Sequence, residues 1–103
     1  MTTQVTDNPD RSRFEITDDG ELAGFAEYFR PENENEIAFI HTEIDPAFAG
    51  RGLAGILARA ALDAAREQGA DVLPYCPFIR GWLGKHPEYV DLVPQAQRTR
   101  FGL

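Results

Sequence analysis

The stretch EIAFIHTEIDPAFAGRGLAG, residues 36–55, changes character half-way along. Glu36 to Ile44 alternates as an extended chain does. Ile37, Phe39, His41 and Glu43 fall on one face, and Ala38, Ile40, Thr42 and Ile44 on the other. Pro46 cannot donate to a strand ladder and ends the run. Beyond Gly50-Arg51-Gly52-Leu53-Ala54-Gly55 the period becomes helical, with Leu53, Ile56, Leu57, Ala60, Ala61 and Ala64 on one stripe. A strand therefore feeds a helix through a glycine-rich turn. Glycines permit positive φ and a close approach of ligand to backbone. A helix start adds unpaired N–H groups and the positive end of the dipole. Two readings stand: an anion site able to take a pyrophosphate, or a plain strand-to-helix turn. No Lys-Ser/Thr follows the glycines, so the turn is not a P-loop. Nor does a full dinucleotide-binding unit surround it.

Toward the N-terminus, Glu21 to Arg30 is rich in aromatics and strand-like, and Arg13 to Thr17 places Phe14 and Ile16 on one face. Asp18-Asp19-Gly20 is a turn signal between them, and Pro31 to Asn35 is a second polar loop. Three strands on short loops make an antiparallel meander. Residues 1–12 are polar and aperiodic and are expected as a mobile arm. Toward the C-terminus, Gly69 is placed to end the helix. Ala70 to Tyr75 then reads as a fourth strand, expected to pair parallel with the third through a crossover helix. Pro77 to Lys85 suits a short second helix with Cys76 as N-cap, and His86-Pro87 ends it. Tyr89 to Val93 is expected as a last strand or a packed extended segment, and 94–103 as a tail. The fold class is mixed α+β, in one domain over 13–93. Phe25, Tyr28, Phe29, Phe39, Phe78 and Trp82 are expected mostly in its core.

Composition narrows the partners. The 103 residues carry 10 basic and 17 acidic side chains, a net charge of −7. Such a surface repels nucleic acid and anionic membranes, whose binding depends on Lys/Arg density, and it tolerates cationic partners such as amines. No apolar run approaches the ~20 residues of a membrane helix, and Met1 to Arg13 has no apolar segment of signal-peptide type, so the expected location is cytoplasmic. The single cysteine excludes an intramolecular disulfide. Cys76, His41, His86 and Glu43 include no local pair at zinc spacing, and no metal is expected.

Ile40 to Ile44 followed by Gly50-Arg51-Gly52-Leu53-Ala54 resembles the acetyl-CoA-binding motif of the GNAT acetyltransferase superfamily, written Gln/Arg-x-x-Gly-x-Gly/Ala. Gly52 and Ala54 fit its last two positions, and Ala49 departs from the first. Pro74 to Ile79 together with His86 to Tyr89 resembles a compact branch, the N-acetyltransferase domain-containing 1-like proteins, over Phe14 to Val93. The resemblance implies a minimal GNAT-like fold in which the third and fourth strands splay apart. It implies acetyl-CoA or coenzyme A as acyl donor, with its pantetheine arm in the gap and its pyrophosphate on the amides of Arg51 to Gly55. Ile44, Gly50, Arg51, Gly52, Leu53, Ala54, Gly55, Cys76 and Arg80 are then candidate cofactor-binding residues, with Lys85 a weaker one. Arg51 would neutralise phosphate charge or simply be solvated.

The implied activity is N-acetyl transfer to an amine, either a small molecule or a protein lysine. The full-size family has helices after its first strand and a C-terminal hairpin. Neither is visible in this sequence, so the acceptor side is expected to be open or completed by a partner; the oligomeric state is left open. Without those elements, the chain could instead be a non-enzymatic acyl-CoA-binding or sensing module. Cys76, at a helix N-terminus, has its thiolate favoured by the dipole. It would accept an acetyl group itself, exchange a proton with the departing thiolate, or serve as a small buried hydrophobe. His41 and Glu43 would take a proton from the amine, or be a core histidine and a rim glutamate.

Overall fold

The computed structural model describes residues 2–31 and 35–103. Part of the loop expected over 31–35 lies outside the described residues. Five strands form one sheet in chain order: β1 (Thr3–Asn8), β2 (Arg13–Asp18), β3 (Glu21–Phe29), β4 (Glu36–Ile44) and β5 (Asp71–Pro74). The first four run antiparallel, and β5 joins β4 in parallel after the helix α1 (Leu53–Glu67). Asp19-Gly20 links β2 to β3 as a two-residue turn. A second helix, α2 (Pro77–Lys85), follows β5, and a short α3 (Gln95–Arg98) lies near the C-terminus.

α1 forms because its alanines carry the highest helix propensity and its apolar residues keep one stripe. Leu53, Leu57, Ala58, Ala61, Leu62 and Ala65 are all buried. They pack on Phe14, Ile16, Ala26, Ile37 and Phe39 of the sheet, and Ile79, Trp82 and Leu83 of α2 join the same cluster. Each buried leucine, isoleucine or phenylalanine among them contributes about 1.5–3 kcal/mol of transfer free energy, and each alanine less. The other sheet face is left largely bare, as the exposed Phe29, His41 and Glu43 show.

Four expectations need correction. Residues 3–8 are no mobile arm: they pair along their whole length with β2, from Thr3 opposite Asp18 to Asn8 opposite Arg13. Tyr28 ties this edge inward by donating its hydroxyl to Asp7 Oδ1 at 2.6 Å, and burial, reinforced by that bond, pushes the phenol up to about 12. The meander thus has four strands. The segment after His86-Pro87 is a 3-10 helix, Pro87–Leu92, which buries Tyr89 and Leu92 against α1 rather than extending the sheet. The tail is anchored, with Phe101 buried and its ring edge-on to Tyr75 at 5.2 Å. Among the aromatics expected in the core, Phe29 and Phe78 are exposed.

Candidate functional site

After β4 the chain is turned by Asp45, whose Oδ1 accepts the Ala47 N–H at 2.9 Å and starts a 3-10 turn over Pro46–Phe48. Gly50 and Gly52 follow at φ +81° and +73°, with open space where a side chain would be. Gly52 is the N-cap of α1 and, lacking a side chain, caps nothing. The first intrahelical bond is Ile56 N–H to Gly52 O at 3.4 Å. The N–H groups of Leu53, Ala54 and Gly55 precede it and have no carbonyl one turn back to reach. These converging amides, at the positive end of a 15-residue helix, are a ready anion site.

Beside this turn the sheet opens. β4 and β5 pair only from Glu36 opposite Asp71 to Phe39 opposite Pro74, with a last link from Cys76 N–H to Phe39 O at 2.8 Å. β5 then bends into α2, while β4 runs on to Ile44 paired with β3 alone. The outer edge of Ile40 to Ile44 therefore faces a gap, where a ligand could add its own hydrogen bonds to the strand.

A β-bulge sets what faces this gap. Glu27 pairs with His41 but its neighbour Tyr28 pairs with Phe39, so Ile40 is an extra residue on β4. The alternation expected from the sequence is thereby broken. Ile37 and Phe39 point into the core, and beyond the bulge it is Thr42 and Ile44 that turn inward. His41 and Glu43, expected on the face of Phe39, lie on the opposite, open face. There their side chains are 53% and 62% exposed and their Nε2 and Oε2 atoms 3.8 Å apart. Phe25 stands beside them, its ring centroid 6.2 Å from that of His41. A hollow of about 250 Å³ lies along this end of β3 and β4, lined by Leu22, Gly24, Phe25, Glu43 and Asp45.

On the inner side, Cys76 is the N-cap of α2 and only 2% exposed. Its Sγ lies 3.3 Å from Thr42 Oγ1. Cys76 and the His41–Glu43 pair thus flank the same strand from opposite faces. Arg51 is neither free nor simply solvated: its Nη1 donates to Asp18 Oδ2 at 2.8 Å, and its guanidinium lies 5.0 Å from the Phe48 ring centre. Asp18, expected only as part of the Asp18-Asp19-Gly20 turn, is the buried partner of Arg51. Arg80 turns back toward the Tyr75 carbonyl, 3.5 Å away, and neither it nor Lys85 lines the groove beside the turn.

That groove, of about 440 Å³, runs between α1 and α2 from Gly52 and Gly55 past Ile56 and Arg59 to Trp82 and His86. The last two rings stack at 3.7 Å and 13°, and His86 Nδ1 lies 2.8 Å from the Trp82 carbonyl. Beneath it, Tyr89 donates to Asp63 Oδ1 at 2.7 Å and accepts from Arg59 Nη1 at 3.2 Å. The Asp63 hydrogen bond, with burial second, raises the Tyr89 pKa and keeps the phenol protonated.

A splayed parallel strand pair, a bulge on the longer strand and an uncapped glycine turn at the next helix form one arrangement. The family model for GCN5-related N-acetyltransferases matches residues 13–92. The chain belongs to the GCN5-related N-acetyltransferase family. It is therefore an acyltransferase of the N-acetyltransferase type. A GCN5-like protein from Staphylococcus aureus, solved by NMR in solution, matches its fold with a TM-score of 0.66 at 25% identity, over 88% of this chain and 87% of that one. Nourseothricin acetyltransferase aligns more weakly, with a TM-score of 0.45 at 22% identity, over 68% of this chain and 55% of its own. No curated protein sequence is a significant match.

GCN5-related acetyltransferases generally draw on acetyl-CoA and act on amines, and the residues present suit such a donor. The turn offers amides for a diphosphate, the β4 edge offers strand hydrogen bonds for an amide-bearing arm, and the groove offers room beyond. Among the described residues no helix is long and apolar enough to cross a membrane, and no cluster of three or more His, Cys, Asp or Glu side chains is arranged to hold a metal ion.

Proposed function

We propose that the chain binds acetyl-CoA and transfers its acetyl group to an amine, as a compact cytoplasmic member of the family akin to the N-acetyltransferase domain-containing 1-like branch. One observation carries this reading: β4 and β5 part after Phe39 and Pro74 next to the uncapped amides of α1. In the proposal, Gly50 to Gly55 hold the diphosphate and the free edge of Ile40 to Ile44 holds the pantetheine arm. When bound, the thioester supplies an activated acetyl group. The chain's own part is to orient it and move protons. An amine arriving over the open face meets His41 and Glu43, either of which can take its proton. On the inner side, the Cys76–Thr42 pair supports proton delivery to the thiolate that leaves. The low exposure of Cys76 speaks against a role as acetyl acceptor in its own right.

Isothermal titration with acetyl-CoA tests the donor half. Saturable binding below millimolar concentration is expected, and its absence would sink the proposal. The two-residue connection of β2 to β3 leaves the acceptor face uncovered, which favours a second reading as an acyl-CoA-binding module. Thiol release measured with polyamines, lysine peptides and aminoglycosides separates the two. Turnover that falls on Glu43→Gln or His41→Ala supports transfer, and binding without any turnover supports the module.

A further inference from the structure

Along β2 the buried positions are Phe14, Ile16 and Asp18. The third is a carboxylate where the alternation calls for an apolar side chain. Its side chain is 1% exposed, and Oδ1 makes no hydrogen bond among the described residues. Burying a carboxylate is costly unless it is paired, and among the described residues this one has a single side-chain partner, Arg51 Nη1, 33 residues along the chain. Arg51 stands between Gly50 and Gly52, both left-handed and without side chains to hold them. The ion pair is thus a polar side-chain tie between the turn and the sheet, beside the packing of Phe48 and Leu53 on the core. Stability alone does not account for it, because apolar residues commonly replace a buried ion pair at no loss. Only one of the five guanidinium N–H donors is spent on Asp18, and the side chain is 44% exposed.

We infer that Asp18 is a positioning residue for the anion-binding turn: through Arg51 it fixes Gly50-Arg51-Gly52 over the first amides of α1, and it aims the remaining Arg51 donors at a diphosphate ester. The inference rests on the acetyl-CoA reading and adds to it the residue that sets affinity for the phosphate half of the ligand. A neutral side chain at position 18 loosens the turn and misdirects Arg51, at the cost of phosphate contacts only.

The test is titration of wild type, Asp18→Asn, Arg51→Gln and the double variant with two probes, acetyl-CoA and the phosphate-free S-acetylpantetheine. Asp18→Asn is expected to weaken acetyl-CoA about tenfold, or ~1.4 kcal/mol, and to leave S-acetylpantetheine unchanged. Added to Arg51→Gln it should have no further effect. Equal weakening of both probes, or an Asp18→Asn effect that persists without Arg51, would overturn the inference. Arg51→Gln leaves a buried charge unpaired; should it fail to fold, the two-probe comparison on Asp18→Asn and the hydrogen exchange of 50–55 carry the test. Amide hydrogen exchange gives a ligand-free readout: it should quicken at 50–55 in Asp18→Asn, and unchanged exchange there also refutes the inference. If wild type binds no acetyl-CoA, the underlying reading fails; if it binds and Asp18→Asn matches it, only the role of Asp18 fails.

Discussion

At its last turn α1 closes on backbone partners. Gly69, at φ +64°, donates to Arg66 O at 3.1 Å, and Ala70 donates to Ala65 O at 2.9 Å. This pair of bonds is the Schellman motif, and it satisfies two of the carbonyls a helix end leaves over. At its first turn a glycine is again left-handed, but Gly52 brings no cap, and three N–H groups are left over. The same residue type stops the helix at one end and keeps the backbone bare at the other. What separates the two glycines is the state of the polar groups next to them, since φ is alike in both, and on the proposed function only Gly52 faces a ligand.

The largest break of this comparison is in the middle, where both ends lose their support. Leu57 is fully buried, and Leu57→Ala is expected to cost about 2–5 kcal/mol. Urea unfolding followed by circular dichroism measures it, and a loss well under that range would show that α1 is not central to the core. Next come the two glycines. Gly52→Ala and Gly69→Ala each place a Cβ at positive φ, at roughly 1–2 kcal/mol. They should look alike in thermal melts and differ in titration with acetyl-CoA, where Gly52→Ala weakens binding and Gly69→Ala does not. Equal affinities would erase the distinction between the ends.

The smallest effect lies at the closed end. Arg66 grips Asp91 with two hydrogen bonds, of 2.8 and 2.9 Å, and so holds that carboxyl below its ordinary 3.8. A depressed carboxylate lends stability above its unfolded pKa and loses it as pH falls through the folded value. The side chains are 45% and 61% exposed, so solvent screens most of the gain. Arg66→Gln should lower the melting temperature slightly at neutral pH, and the difference should shrink as pH falls below the ordinary 3.8 of the carboxyl. A gap that holds its size in acid would assign the effect to the Arg66 bond with the Glu88 carbonyl, 3.1 Å, instead.

Much of the frame was legible in the sequence because hydrophobic period and punctuation agreed. Glu36–Ile44 and Pro77–Lys85 have the limits that Pro46 and the Cys76-Pro77 and His86-Pro87 steps imply. β1 was not legible. Val5 is its sole apolar aliphatic residue, and its extended form comes from partners on β2 rather than from its own pattern. The 3-10 segment escaped for a related reason: Tyr89 and Leu92 are held by α1, through contacts that local spacing does not encode. At the site, the glycine turn could be read and the company it keeps could not. Asp18 looks like part of an Asp-Asp-Gly turn until its burial is known. The one signal available was its place two residues after Ile16 on a buried face.

The extra residue at Ile40 can also be described as a change of phase. A strand is a two-stroke pattern, and one added residue advances it by half a cycle. Odd positions point inward before it, Ile37 and Phe39; even positions do after it, Thr42 and Ile44. The same residues paired regularly, with no bulge between Phe39 and Thr42, would swap the inward and outward sets beyond Phe39. His41 and Glu43 would be pressed into the core, and Cys76 would lose its Thr42 neighbour. The register of β4 against β3 beyond the last parallel pair is therefore a constraint as strict as the identity of any side chain along it. An alignment that slips by one there would cross-wire the two faces of the sheet.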